Sequence, residues 1–160
     1  MGLQERVRIF VENEAGSDLR HIYDEATFKL LSTRPVAATY PYPYGFILGT
    51  TTEDGGAVDC FVLTASPIPT GSALEGEPVG LLEQFENGEV DHKILVALPG
   101  TAPRLDSNLH QTLRSFIGSL FEPFPMVHVE VGRILGAHEA RAFIASHRTH
   151  GSGLIPDTST

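Results

Sequence analysis

Residues 40–63 read YPYPYGFILGTTTEDGGAVDCFVL, which is two runs of strand-forming residues separated by a polar segment. The first run, residues 46–52, follows a loop that contains three tyrosines and two prolines. The second run, residues 58–63, is short and apolar, as is typical of a buried strand. The segment between them, Glu53-Asp54-Gly55-Gly56, has the residue types that favour chain reversal. This stretch therefore predicts two strands separated by a turn.

Similar short runs occur on both sides of this stretch. They lie at residues 7–11, 22–23, 28–31, 79–82 and 93–98. Asn87-Gly88, between the last two, is a favoured two-residue turn of a β-hairpin. The first three-fifths of the chain is therefore predicted to consist of short strands.

The hydrophobic period changes after Pro99-Gly100. Apolar residues at helical spacing predict a helix that is capped by Asp106 or Ser107 and ends near Leu120. A strand is predicted at residues 126–131 and a second helix at 137–147. Short strands followed by helices, without regular βαβ alternation, favour a mainly β fold with α, in which helices pack on a β-barrel core. We expect one domain over residues 1–150 and a flexible tail over residues 151–160.

Composition narrows the class of protein. The 160 residues are 41% hydrophobic and carry a net charge of −9, and no apolar run is long enough to span a bilayer. Nucleic acid attracts basic surfaces, so this acidity argues against a nucleic-acid partner. A single cysteine, Cys60, excludes an internal disulfide and a cysteine-based zinc cluster. We expect a cytoplasmic protein with no membrane partner. Its carboxylates either are solvated at the surface or hold a hard cation.

Four collinear motifs carry a family resemblance. Residues 40–47 match Y-P-x-x-Y-G-(F/Y)-I, and residues 54–59 match most of D-G-D-P-x-D. Residues 78–82 match P-(V/I)-G-x-L, and residues 86–94 match most of D-E-x-x-x-D-x-K-(I/L). In this order and spacing they resemble the soluble family I inorganic pyrophosphatases, and the resemblance covers residues 7 to 131.

The resemblance implies an OB-like five-stranded β-barrel with two C-terminal helices packed at its side. It also implies Mg²⁺-dependent hydrolysis of diphosphate, or of a related phosphoanhydride, by a metal-activated water; other divalent cations remain possible. Diphosphate is a dense anion, so the reaction needs cations that screen its charge and lower the pKa of a bound water. A homo-oligomer, commonly a hexamer in prokaryotic members, is expected on the same basis.

The resemblance also assigns site residues. The residues that match metal ligands are Asp54, Asp59, Asp91, Glu86 (where the family has Asp) and Glu12 at the cavity edge. The catalytic residues by match are Asp59, Lys93 and Tyr44. The substrate-binding residues by match are Arg20, Tyr44, Lys93, Tyr40 and Arg34, of which Arg20 replaces a lysine and Arg34 lies two residues beyond the usual arginine position.

Several residues differ from the family's pattern at positions that act in its site. Gly56 replaces the middle acid of D-G-D-P-x-D, Ile22 replaces a glutamate, and Ser32 replaces an arginine. Leu120-Phe121 stands where the family has a phosphate-contacting Tyr-Lys pair. Loss of a positioned base typically lowers a rate ~10²–10⁴-fold. Candidates to replace the missing base are Glu14, Glu53, Glu89 and His92. Two hypotheses follow: a diphosphatase with reduced or altered activity, or a protein of this fold that binds metal or phosphate without useful catalysis.

Overall fold

A computed structural model describes residues 5–149. Nine strands and two helices occur in this part of the chain. In chain order they are β1 (Val7–Asn13), β2 (Leu19–Tyr23), β3 (Leu30–Pro35), β4 (Tyr44–Ile47), β5 (Asp59–Val62), β6 (Ala73–Glu86), β7 (Glu89–Val90), β8 (Lys93–Ala97), α1 (Ser107–Phe121), β9 (Val129–Gly136) and α2 (Ala137–Ser146). The tail at 151–160 lies outside the described residues. Within residues 5–149, neither helix is both long enough and apolar enough to cross a membrane.

Five of the strands form a closed ring. Strands β1, β4, β5, β8 and β6 pair in that order, and β6 pairs with β1 to complete the circle. The β5–β8 pair is parallel, whereas the other pairs in the ring are antiparallel. Strands β7 and β9 extend from β6, and β2–β3 form a separate hairpin. The predicted mainly β fold with two helices is confirmed, with the expected barrel taking the form of this strand ring.

The core is divided between two apolar clusters. One contains Ile9, Val11 and Ile94 and is covered by Ala140 and Ile144 of α2. The other contains Tyr40, Phe61 and Leu95 and is covered by α1 through a face that includes Leu113 and Phe116. Each helix therefore buries one apolar stripe against the ring, and the end of α1 lies beside the strands that carry the predicted site.

Several local predictions are confirmed. Asp106 caps α1 by accepting a hydrogen bond from the Leu109 amide at 3.0 Å. Asn87 and Gly88 form the turn between β6 and β7, and both have positive φ (51° and 82°), as a primed hairpin turn requires.

Several strand boundaries differ from the predictions. The strands predicted at 22–23 and 28–31 are Leu19–Tyr23 and Leu30–Pro35, because Phe28 lies in the turn between them with a φ of 60°. β6 has 14 residues instead of the four at 79–82, because β1, β8, β7 and β9 supply hydrogen-bond partners along its length. The strand predicted at 46–52 ends at Ile47, where the Thr50 hydroxyl donates to its carbonyl in a turn. The strand predicted at 126–131 begins only at Val129, because the Val127 amide donates to the Phe124 carbonyl in a preceding turn.

Candidate active site

Parallel pairing of β5 and β8 brings together an acid and a base that are distant in sequence. Cys60 is in register with Ile94, so the residues before them, Asp59 and Lys93, lie side by side where the two strands begin. The rest of both strands is buried, which fixes the position of these ends. The distance from Lys93 Nζ to Asp59 Oδ2 is 2.9 Å.

Asp91, which lies just before β8, contacts the same ammonium group. It precedes Lys93 by two residues, and its Oδ1 accepts a hydrogen bond from Lys93 Nζ at 3.1 Å. The Lys93 side chain is only 7% exposed, whereas the Asp59 and Asp91 side chains are 28% and 31% exposed. One buried cation therefore joins two carboxylates that still reach solvent.

The charges in this group shift its pKa values. Burial acts to lower the pKa of Lys93, but Coulombic attraction from Asp59 and Asp91 outweighs it, and the pKa is raised well above its usual value. Burial, followed by the charge of Asp59, raises the pKa of Tyr44 well above its usual value. Burial also raises the pKa of Asp91, against the effect of Lys93. The lysine stays charged and the tyrosine keeps its proton, so both groups act as hydrogen-bond donors.

Asp54 is held by the turn that precedes β5. Its Oδ1 accepts hydrogen bonds from the Thr52 hydroxyl and, at 3.0 Å, from the Gly56 amide. These two bonds, with Thr52 the larger contributor, lower the pKa of Asp54. The carboxylate is therefore ionised and fixed in orientation.

A cavity of about 540 Å³ collects most of the sequence-predicted residues. Its polar lining includes Asp54, Asp59, Asp91, Glu86, Lys93, Arg20, Arg34, Tyr40 and Tyr44. Of the predicted site residues, Glu12 alone does not line it. The three aspartates also line a second cavity of about 680 Å³, and so lie between the two.

Two arginines enter this cavity from the β2–β3 hairpin. Arg20 and Arg34 are directly opposite each other in the hairpin register, so their side chains leave the same face. Ser32 pairs instead with Ile22 and is exposed. Arg34 therefore reaches the cavity from its shifted position in the sequence.

Glu12 does not line the cavity but lies near enough to Asp59 and Arg20 for their charges to act on it. Its Oε2 accepts a hydrogen bond from the Tyr23 amide at 3.3 Å. Burial raises the pKa of Glu12 to about 7, and the nearby charge of Asp59 acts in the same direction. This carboxyl is therefore partly protonated near neutral pH.

Of the four candidate replacement bases, three line the second cavity and one lines neither cavity. Glu14 is bonded through Oε1 to the Thr70 amide at 3.0 Å and lines neither of the two cavities. Glu53, Glu89 and His92 line the second cavity. They therefore share a cavity with the three aspartates but not with Arg20 and Arg34.

Two further polar residues were missed by the sequence prediction. Glu25 Oε1 accepts a hydrogen bond from the Ala57 amide at 3.0 Å, and burial with the charge of Asp59 raises its pKa. Gln84 is 2% exposed and donates to Asp91 Oδ2 at 3.4 Å, while its Oε1 is buried without a hydrogen-bond partner among the described residues. No local signal identifies Glu25, which is 32 residues from Ala57; a glutamine inside an apolar strand was a usable signal for Gln84.

The part of the cavity lining that α1 supplies is apolar. Phe116, Ile117, Leu120 and Phe121 from the end of α1 line the cavity, together with Pro123 and Phe124 from the following turn. Leu120 and Phe121, two of the departures noted in the sequence, thus line the same cavity as the charged residues.

The acidic residues of the cavity supply the kind of ligand that a hard divalent cation prefers. Asp54, Asp59, Asp91 and Glu86 offer only oxygen ligands, which suit Mg²⁺, and Gln84 adds a buried oxygen without a partner. Within residues 5–149, no three His, Cys, Asp or Glu side chains are grouped closely enough to enclose an ion. Mg²⁺ keeps several of its waters and is held by few carboxylates, so an open arrangement of this chemistry fits it.

Comparison with known proteins identifies similar chains. The family described as inorganic pyrophosphatase matches residues 9–148. An inorganic pyrophosphatase of Nanoarchaeum equitans is 32% identical over 86% of this chain and 92% of its own length, and one from Synechocystis is 28% identical over 86% and 85%. Crystal structures of an inorganic phosphatase from Anaplasma phagocytophilum and an inorganic pyrophosphatase from Neisseria gonorrhoeae superpose with TM-scores of 0.80. Their identities are 27% and 25%; each match covers 89% of this chain, and 91% and 88% of those chains.

Proposed function

The chain belongs to the inorganic pyrophosphatase family, and on this premise we propose that it hydrolyses inorganic diphosphate to two phosphates in a Mg²⁺-dependent reaction. The observation that carries the proposal is the buried Lys93 ammonium, which joins Asp59 and Asp91 in a cavity that also presents Arg20 and Arg34. Carboxylates for a cation and positive charges for an anion thus lie within one space.

Asp54, Asp59 and Asp91 would hold Mg²⁺, with Glu86 as a further oxygen donor at the lining. Bound there, the ion would screen the charge of diphosphate and lower the pKa of a coordinated water. The fixed orientation of Asp54 supports its role, because Thr52 and Gly56 occupy only one of its two oxygens. Glu12 would act on this group through its charge.

The cationic side would bind and orient the substrate. Arg20 and Arg34 each present a planar set of donors that can engage two phosphate oxygens. Lys93, which cannot lose its proton here, would hold a third oxygen while it keeps Asp59 and Asp91 in place. The protonated Tyr44 would donate to phosphate beside it, with Tyr40 as its neighbour. Such fixed donors are the main source of stabilisation in phosphoryl transfer.

The direct test is phosphate release from diphosphate with Mg²⁺, for the wild type and for Asp59→Asn. We expect the variant to lose at least ~100-fold in kcat, because a ligand charge and the partner of Lys93 are both removed. Asp106→Asn is a matched control, since asparagine caps a helix as well as aspartate does and Asp106 lies outside the cavity. No turnover by the wild type with Mg²⁺, Mn²⁺ or Zn²⁺ would refute the proposal.

A second candidate, a metal- or phosphate-binding protein without useful catalysis, is favoured by Gly56 and by the apolar residues Leu120 and Phe121. Gly56 has no side chain to act as a base, and the other two cannot donate to phosphate. Calorimetric titration of Mg²⁺ into wild type and Asp59→Asn separates the candidates: binding that is lost in the variant, together with absent turnover, would favour this second function.

We also propose that the protein acts in the cytoplasm as a homo-oligomer, with a hexamer as the expected assembly. The family resemblance supports this part of the proposal. Light scattering coupled to size-exclusion chromatography would test it, and a monomer at micromolar concentration would contradict it.

A further inference from the structure

The elements that line the 540 Å³ cavity differ in the chemical character of the residues they contribute. The strands supply charged residues, including Arg20, Arg34 and Lys93. The end of α1 and the turn after it supply six apolar residues, which we call the apolar wall: Phe116, Ile117, Leu120, Phe121, Pro123 and Phe124.

The apolar wall is a fixed part of the scaffold. Phe116 packs on Tyr40 at a centroid distance of 4.8 Å and on Phe61 at 6.1 Å, so the last turns of α1 are anchored to the ring. The chain then reverses, and the Phe124 amide donates to the Phe121 carbonyl at 2.9 Å. This turn leaves the Phe124 side chain 51% exposed and part of the cavity lining.

The apolar wall cannot contribute to the binding of inorganic diphosphate. Diphosphate offers no apolar surface to bury, and apolar side chains that remove water from its oxygens without donating hydrogen bonds weaken its binding. An organic group attached to the diphosphate would instead gain free energy by leaving water against these six residues. A volume of about 540 Å³ lies in the range of cavities that bind small organic ligands.

We therefore propose that this cavity accepts monoesters of diphosphate that carry a short apolar group, with the two phosphates at the charged residues and the organic group on the apolar wall. The inference rests on the proposed function, because it uses the same hydrolysis. Water adds to the terminal phosphorus, the bridging P–O bond breaks, and the bridging oxygen leaves with the organic part. An alkyl diphosphate and water thus give an alkyl monophosphate, inorganic phosphate and a proton.

The first experiment compares methyl, butyl and octyl diphosphate with inorganic diphosphate, with phosphate release as the readout. We expect kcat/KM to rise about twofold per methylene, or about tenfold from methyl to butyl, because the wall covers one side of the chain only. The second readout is calorimetric affinity for methylenediphosphonate and its methyl and butyl esters, which cannot be hydrolysed. The same trend is expected there.

Variants locate the effect. Phe124→Ala removes an exposed ring from the wall and should reduce the butyl-to-methyl ratio at least threefold in both readouts. Phe121→Lys, which adds a cation to the wall, should reduce the ratio and favour inorganic diphosphate. Met126→Ala is the control: Met126 is 93% exposed in the same turn but does not line the cavity, so its ratio should equal that of the wild type.

The outcomes separate this inference from the proposed function. A wild type that hydrolyses inorganic diphosphate but shows no dependence on chain length overturns the inference and leaves the proposed function intact. A wild type that hydrolyses no substrate overturns the proposed function, and the calorimetric series still decides whether the wall binds an organic group. A ratio lowered equally by Phe124→Ala and Met126→Ala overturns the assignment to the wall.

Discussion

Replacing Lys93 with methionine should destabilise the fold strongly at neutral pH. The ammonium lies 2.9 Å from Asp59 and 3.1 Å from Asp91, so without it two carboxylates face each other at no more than about 6 Å. At an effective dielectric constant of ~20, their repulsion is about 3 kcal/mol. Methionine fills similar space and has no charge to desolvate, which offsets part of the loss.

The burial of the ion pair sets limits on the stability lost in Lys93→Met. Removing one partner of a buried ion pair costs about 3–5 kcal/mol. Asp59 and Asp91 keep 28% and 31% of their side-chain exposure, so water stabilises the remaining charges in part. We expect the free energy of unfolding to fall by about 2–4 kcal/mol, which lowers Tm by roughly 5–15 °C in a chain of this length.

Urea unfolding followed by circular dichroism, in a buffer with a chelator at pH 7.5, measures the change. Lys29→Met is the matched control, because Lys29 is exposed and the substitution removes the same charge. We expect it to stay within about 0.5 kcal/mol of the wild type. Adding Asp91→Asn to Lys93→Met should recover part of the stability, since it removes the repulsion. A Lys93→Met protein as stable as the wild type at pH 7.5 would refute the account of the buried cation.

Three more predictions concern the Glu12 carboxyl, the turn and the hairpin. Because the pKa of Glu12 is about 7 in the fold against 4.5 ordinarily, the native state binds its proton more tightly, and stability falls as pH rises from 4.5 through 7. Glu12→Gln should therefore raise the free energy of unfolding by about 3 kcal/mol at pH 8 and leave it unchanged at pH 4, measured by urea unfolding. Gly56→Asp should raise kcat for diphosphate about tenfold or more. A Cβ at position 56 would lie 3.5 Å from Asp54 Oδ1 and 3.9 Å from Glu25 Oε2, which is ordinary van der Waals contact. An unchanged kcat would show that the missing base is not limiting. Arg34→Gln should raise KM about tenfold in steady-state assays, because a hydrogen-bond donor to phosphate is lost. Arg133→Gln is the control: it breaks the surface ion pair with Glu83 outside the cavity and should leave KM unchanged. Equal effects of the two substitutions would contradict a phosphate-binding role for Arg34.

The predictions from sequence succeeded where a few adjacent residues fix the backbone. Asp106 caps its helix through an amide three residues away, and Asn87-Gly88 forms its turn without help from other parts of the chain. They were wrong where pairing with distant strands decides the outcome. Residues 73–78 contain proline, glycine and two glutamates, yet they form the first part of β6 because β1 and β8 lie on either side of them.

The candidate site divides in the same way. Motif spacing gave the aspartates, Lys93 and the arginines, and the structure places all of them on one cavity. Their catalytic and metal-binding roles remain predictions. Glu25 and Gln84 were missed, because Glu25 meets Ala57 only across the fold and the partner of Gln84 is defined by the β6–β7 turn.

By itself, the sequence determined the fold class, the family resemblance and the types of charged group available, since these follow from residue types and their spacing along the chain. Only the tertiary structure decided that Lys93 lies between two carboxylates and that Leu120 and Phe121 line the same cavity as these groups. The physical reason is that pKa values, cavity walls and ion pairs depend on distance in space and on burial. Both are set when β5 pairs with β8 and α1 packs on the ring.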